Sequence, residues 1–140
     1  MRSTKSPPPL RVLIAEAHPI EVLGLTDLLH TLGYVLVGSA ASGQEAILAA
    51  GEHQPDLMLV DVDLKGEMDG IAAAVEVHNR LGIRCVFLAG RVDAMMRTRA
   101  AAALPVAILD KTSSMPAIAD ALRAVTLTDN PLIPHRAARQ

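Results

Sequence analysis

Five short apolar runs, each followed by a segment whose apolar residues recur at helical spacing, restrict the fold of this sequence more than any other feature in it. The runs are RVLIA, YVLVGSA, PDLMLVD, IRCVFLAG and PVAILDK, and the segments after them are HPIEVLGLTDLLHTLG, SGQEAILAAGEH, MDGIAAAVEVHNRLG, RVDAMMRTRAAAA and SMPAIADALRAV. Strands alternating with helices predict an open parallel sheet, because parallel neighbours need crossovers and right-handed crossovers bring the helices onto the sheet faces. The unbroken apolar run Leu57 to Val60 is of the kind found when both faces are covered.

Local signals place the helix ends. Pro19 suits a first helical turn, Leu25, Leu28, Leu29 and Leu32 follow at i, i+3, i+4 and i+7, and Gly33 is a natural stop. Ser42 and Glu45 have the spacing of a capping box, Asp69 is a plausible N-cap, and Gly82 closes the third helix. The last helix repeats the pattern in Ile118, Ala121, Leu122 and Val125. The fourth is poorly patterned, since Arg99 falls where Val92, Met95 and Met96 ask for an apolar partner. At least one of that methionine pair is expected in the core, and an exposed one would make an adaptable contact.

At 140 residues the chain is sized for one domain. We read residues 1–10 as a flexible, Pro-rich N-terminal arm, 11–125 as the domain and 126–140 as an unpatterned C-terminal tail. The tail is too short for an output module, so the expected mode of action is docking to another protein.

In open parallel sheets the working site lies beyond the carboxyl ends of the strands, at the switch in strand order. Glu16 follows the first strand, Asp61 and Asp63 end the third, Ala89 and Gly90 end the fourth, and Lys111 follows the fifth. A carboxylate can take up a phosphoryl group when a divalent ion offsets the gathering negative charge and a cation holds the phosphoryl oxygens. Asp61 is the candidate nucleophile, Glu16 a candidate contributor to a Mg²⁺ site, and Lys111 the point charge. A lone Asp at a strand end ordinarily caps a turn, and it is the joint placement of Glu16 and Lys111 that favours chemistry. His18 stands beside this edge, where it could touch the phosphoryl group or a metal, but a turn histidine before Pro19 is the plainer reading. Lys65 and Glu67, flanking Gly66, read as a solvated turn.

From Arg11 to Val125 the chain resembles the receiver domain of bacterial two-component response regulators. The pieces VLIAEAHP, PDLMLVDVDLKGEMDG and ILDK carry the resemblance, in the family's order and at its usual spacing. It implies a flavodoxin-like (βα)₅ fold with strand order 2-1-3-4-5. It also implies a phosphoacceptor signalling protein rather than an ordinary enzyme, with self-catalysed phosphotransfer and autodephosphorylation as its chemistry. On this resemblance Asp61 is the phosphoacceptor charged by a histidine kinase or phosphotransfer protein, Glu16 the first of the paired acids, Asp63 the residue whose backbone carbonyl completes the Mg²⁺ site, and Lys111 the phosphoryl contact. The resemblance further implies a kinase-facing first helix and a homodimer face on helix 4, strand 5 and helix 5, with the helix 1 surface as the other dimer face.

The departures from the pattern are specific. The second acid of the pair is Ala17, so weak Mg²⁺ binding is expected. The hydroxyl residue that ends strand 4 in the family is Ala89, which removes a charge-assisted hydrogen bond of about 1.5–3 kcal/mol from the active conformation. The aromatic switch position in strand 5 is Ile108, and the proline after the lysine is Thr112. Two functions therefore compete: a phosphoacceptor with an atypical switch, and a pseudo-receiver that docks independently of phosphate.

Composition removes other classes. One Tyr, one Phe, no Trp and no Gly-rich phosphate loop argue against flavin or nucleotide stacking. A formal net charge of −2 with scattered arginines argues against nucleic acid as a partner. No run approaches a membrane span, and the lone Cys85 sits in an apolar strand, so a cytoplasmic protein is expected. The five histidines lack the paired spacings of a zinc site.

Overall fold

The computed structural model describes residues 8–125, so the first seven residues of the arm and the whole C-terminal tail lie outside the described residues. The element order is β1 (Arg11–Ala15), α1 (Pro19–Thr31), β2 (Val35–Ala40), α2 (Gly43–His53), β3 (Leu57–Asp61), α3 (Gly70–Leu81), β4 (Arg84–Ala89), α4 (Ala94–Ala100) with a 3₁₀ turn at Ala101–Ala103, β5 (Ala107–Asp110) and α5 (Met115–Val125). All neighbouring strands are parallel, in the order β2-β1-β3-β4-β5. This is the open parallel sheet expected from the alternation, in the flavodoxin-like (βα)₅ order that the resemblance implies.

The period of two along each strand divides the core into two layers. Leu13, Met58, Val60, Cys85 and Phe87 face one way and pack against α2, α3 and α4. Val12, Ile14, Leu57, Leu59, Val86 and Leu88 face the other way and pack against α1 and α5. Every residue of β3 is buried, which is why its run is uniformly apolar up to Asp61. The α3 helix covers its face with Ile71, Ala73, Ala74 and Val77. Leu10, just before β1, is buried, and its carbonyl accepts the Val35 N–H.

The helix ends use the signals in the sequence. After α1, Gly33 N–H donates to the His30 carbonyl and Tyr34 N–H to the Leu29 carbonyl, a Schellman closure that puts Gly33 at φ +80°. Ser42 Oγ accepts the Glu45 N–H at the start of α2, but Glu45 reaches back to the Ala41 N–H, one residue earlier than in the usual box. Asp69 Oδ1 caps α3 by accepting the Ala72 N–H.

The weak pattern of the fourth helix has a structural cause. Its α-helical part is only seven residues, and Arg99 leaves the core to pair with Asp69 across 2.8 Å. Met96 is buried, while Met95 is exposed. Among the described residues no helix is long and apolar enough to cross a membrane.

Candidate functional site

The sheet order puts β1 and β3 side by side, with Ala15 opposite Val60 and β5 two strands away. Three strand ends therefore open at one edge, with Asp61 the last residue of β3 and Glu16 and Lys111 directly after β1 and β5. Glu16 continues the β1 ladder, its N–H donating to the Ala40 carbonyl. Lys111 is held by its own N–H on the Ala89 carbonyl.

The structure brings these side chains together. Lys111 Nζ donates to Asp61 Oδ2 across 2.9 Å and lies 3.3 Å from Glu16 Oε1. The other oxygen of Asp61, Oδ1, accepts the Asp63 N–H at 3.0 Å. Both carboxylates are 2% exposed, so their charges have little water to stabilise them and depend on these partners. Burial opposes the lysine charge, but the hydrogen bond and charge of Asp61, with Glu16 behind it, outweigh burial and hold Lys111 well above its ordinary pKa. Lys111 is thus a permanent cation at this edge.

Two further residues enter the cluster. His18 Nδ1 lies 3.0 Å from Glu16 Oε2 and 3.0 Å from Glu21 Oε2. Glu21, which the sequence reading left out, also approaches Lys111 Nζ at 3.4 Å. Its signal was the three-residue step from His18 into the first turn of α1, where a side chain leans back toward the helix start. Three carboxylates thus surround one lysine, leaving a surplus of two negative charges when His18 is neutral. Glu16 Oε1 and Glu21 Oε2 are buried without a well-directed hydrogen bond. The ligand atoms of Glu16, His18 and Asp61 lie within 4.8 Å of one another. This donor set fits a divalent cation, which would balance the charge and occupy the unsatisfied oxygens.

The other sequence-predicted positions lie around this cluster. Ala17 is half-buried against the α2 to α4 layer and offers no oxygen from a side chain. Ala89 is fully buried at the end of β4, opposite Asp110, and Ile108 packs beside Phe87 in the same layer. Asp63 is exposed, with its N–H committed to Asp61. Lys65 and Glu67 are exposed in the turn around Gly66.

The loop after Asp61 is fixed by a close approach. Gly70 N–H donates to the Val62 carbonyl, and a Cβ on Gly70 would stand 2.0 Å from the Asp61 carbonyl oxygen. Only glycine lets α3 begin directly against the end of β3.

Comparisons with known proteins agree with this geometry. The family profile of the response regulator receiver domain matches residues 12–123. The transcriptional regulatory protein PdtaR of Mycobacterium tuberculosis is 43% identical over 72 residues, 51% of this chain and 35% of that protein. The response regulator VraR of Staphylococcus aureus is 34% identical over 116 residues, 81% of this chain and 55% of that protein. The chain therefore spans about half, or less, of the length of these relatives. Among solved structures, the signal receiver domain of the response regulator NarL of Mycobacterium tuberculosis superposes with a TM-score of 0.76 at 27% identity, covering 86% of this chain and 99% of that one. The signal receiver domain of a modulated diguanylate cyclase from Desulfovibrio desulfuricans gives 0.75 at 26%, covering 84% and 94%.

Proposed function

We propose, from the premise that this chain belongs to the response regulator receiver domain family, that it accepts a phosphoryl group on Asp61 and passes the signal on by docking. Receiver domains generally bind Mg²⁺ and interact with histidine kinases or phosphotransfer proteins. The observation that carries the reading is the convergence of Asp61, Glu16 and Lys111 on one sheet edge, with Lys111 hydrogen-bonded to the buried Asp61.

In this reading an Asp61 carboxylate oxygen attacks phosphorus. The new P–O bond forms as the P–N bond to the donor histidine breaks, and the released imidazole takes up a proton. Glu16, Asp61 and the Asp63 carbonyl are the groups that would hold the divalent ion, which, when bound, supplies neutralisation of the phosphoryl charge. Lys111 releases Asp61 Oδ2 and pairs with a phosphoryl oxygen, an exchange that keeps the half-buried cation partnered. The polypeptide from 11 to 125 is the working unit. Ile20 and Leu23 on α1 and Met115 at the start of α5 are exposed apolar side chains near this edge, which supports docking of a protein partner there.

A second reading, phosphate-independent docking, is favoured by Ala89. Its methyl group offers no hydroxyl where the family's switch would sense phosphate, and Ile108 cannot supply the aromatic half of that switch. The intact mass after treatment with a small phosphodonor separates the two, measured with Mg²⁺ or chelator on wild type and Asp61→Asn. A Mg²⁺-dependent adduct confined to wild type supports the phosphoacceptor. An unmodified wild type under strong donor supports the docking module.

A further inference from the structure

We infer that His18 is a metal ligand in this site, taking the place of the acid absent at Ala17, and that it shifts the site's preference from Mg²⁺ toward a borderline first-row transition ion of the Zn²⁺ class. The inference rests on the reading above in one respect, that the carboxylates at this edge hold a divalent cation.

The geometry singles out the imidazole. His18 occupies the N-cap position of α1, where a side chain usually accepts from the helix backbone, yet it makes no cap hydrogen bond. The ring is turned back instead, so that Nδ1 stands 3.0 Å from Glu16 Oε2 and 3.0 Å from Glu21 Oε2. One Nδ1–H cannot point at both oxygens, and Glu21 Oε2 is buried without a hydrogen bond. A cation at the ring nitrogen satisfies what a single proton cannot.

The carboxylate that receives this ring is itself preorganised. Glu16 Oε2 accepts the His18 backbone N–H at 3.2 Å, so ring and carboxylate are locked in one short turn between β1 and α1. The ligand atoms of Glu16, His18 and Asp61 lie within 4.8 Å of one another, a span that bonds of about 2.0–2.2 Å close after small side-chain rotations.

Chemistry then selects the ion. Mg²⁺ takes oxygen ligands near octahedral geometry, one or two carboxylates with water filling the rest, so the His18 imidazole adds little to its binding. A set of one imidazole and two carboxylates suits Zn²⁺ and its neighbours, and leaves a position open for a phosphoryl oxygen. Glu21 pairs with Lys111 at 3.4 Å and remains available as a further acceptor.

The test is calorimetric titration of the metal-free full chain with Zn²⁺ and, separately, with Mg²⁺. Wild type, His18→Ala and Asp61→Asn are compared. Carboxylates alone favour Zn²⁺ over Mg²⁺, so the informative quantity is the change between variants. His18 is more than half exposed, and its truncation leaves the core untouched. We expect His18→Ala to weaken Zn²⁺ binding by about tenfold or more while Mg²⁺ binding stays within about twofold. The ¹⁵N shift of the His18 ring should move on Zn²⁺ addition and not on Mg²⁺ addition. Unchanged Zn²⁺ affinity in His18→Ala, with both ions lost in Asp61→Asn, overturns the histidine's role and leaves the carboxylate site standing. Retention of both ions in Asp61→Asn overturns the site itself and the inference with it.

Discussion

Lys111 Nζ and Asp61 Oδ2, 50 residues apart in sequence, meet at 2.9 Å across the ends of β5 and β3. This pair is the only strong neutralising contact for Asp61 among the described residues, because its remaining polar partner is the neutral Asp63 N–H. With Glu16 and Glu21 facing the same ammonium, the site has more anion than cation.

Removing the two partners should therefore have opposite signs. Lys111→Met leaves buried carboxylates without their cation and should cost about 1–3 kcal/mol in urea unfolding. Asp61→Asn relieves repulsion with Glu16 and Glu21 and should raise the urea midpoint in chelator. The lysine's folded pKa lies above its ordinary 10.5, so its contribution is complete below that pH and fades only as the pH climbs through the folded value. The stability difference between wild type and Lys111→Met should stay flat from neutrality up to that limit.

Ala17→Asp tests the missing acid. An added carboxylate next to Glu16 in the chain should destabilise the metal-free protein by about 1 kcal/mol through like-charge repulsion. It should also enlarge the rise in melting temperature on adding Mg²⁺, since an ion that binds only the native state stabilises it in proportion to its affinity. Thermal melts of both proteins with Mg²⁺ and with chelator show whether these effects occur together, as a restored ligand requires.

Most of the fold was legible because the constraint is repeated. Each buried strand must be apolar on both faces, each helix must show a stripe, and Ser42, Asp69 and Gly82 mark ends with chemistry that depends only on local backbone. The meeting of Glu16, Asp61 and Lys111 was legible for a related reason, since parallel topology sends every strand's carboxyl end to one edge. Glu21 was hidden, because helical spacing reveals a face and leaves open whether a long side chain reaches back over the sheet end. The close approach at Gly70 was hidden too: MDGI reads as an ordinary helix start, and the contact that demands glycine comes from the carbonyl of Asp61. Arg99 looked like a defect in α4 and is instead the partner of Asp69, fixed by tertiary placement alone.

Gly70→Ala turns that close approach into a measurement. Its Cβ would lie 2.0 Å from the Asp61 carbonyl oxygen and 2.9 Å from Val60 Cγ1, and backbone on both sides must move. The expected loss is about 3 kcal/mol or more, at the upper end for overpacking. Gly33→Ala is the control: Gly33 has φ +80° and nothing within 4 Å of a new Cβ, so it should lose only about 1 kcal/mol. Gly70 lies in α3 without a positive φ, so a loss no larger than that of Gly33→Ala would mean that the chain relieves the contact with the Asp61 carbonyl at little cost.

Cys85 gives a prediction in the alkaline range. It is 1% exposed in β4, and burial pushes its thiol up to about 12, with the Arg84 charge opposing only weakly. Between the ordinary value of 9.0 and about 12 the unfolded chain loses this proton and the native protein keeps it. The native state then binds more protons than the unfolded state, so stability falls as pH rises. Cys85→Ala removes this term: its unfolding free energy, subtracted from that of wild type, should change by about 1.4 kcal/mol per pH unit above pH 9 and be constant below it. Aromatic disulfide reagents should accordingly label wild type at neutral pH only at the rate of unfolding, and rapid labelling without denaturant would place the thiol outside the sheet.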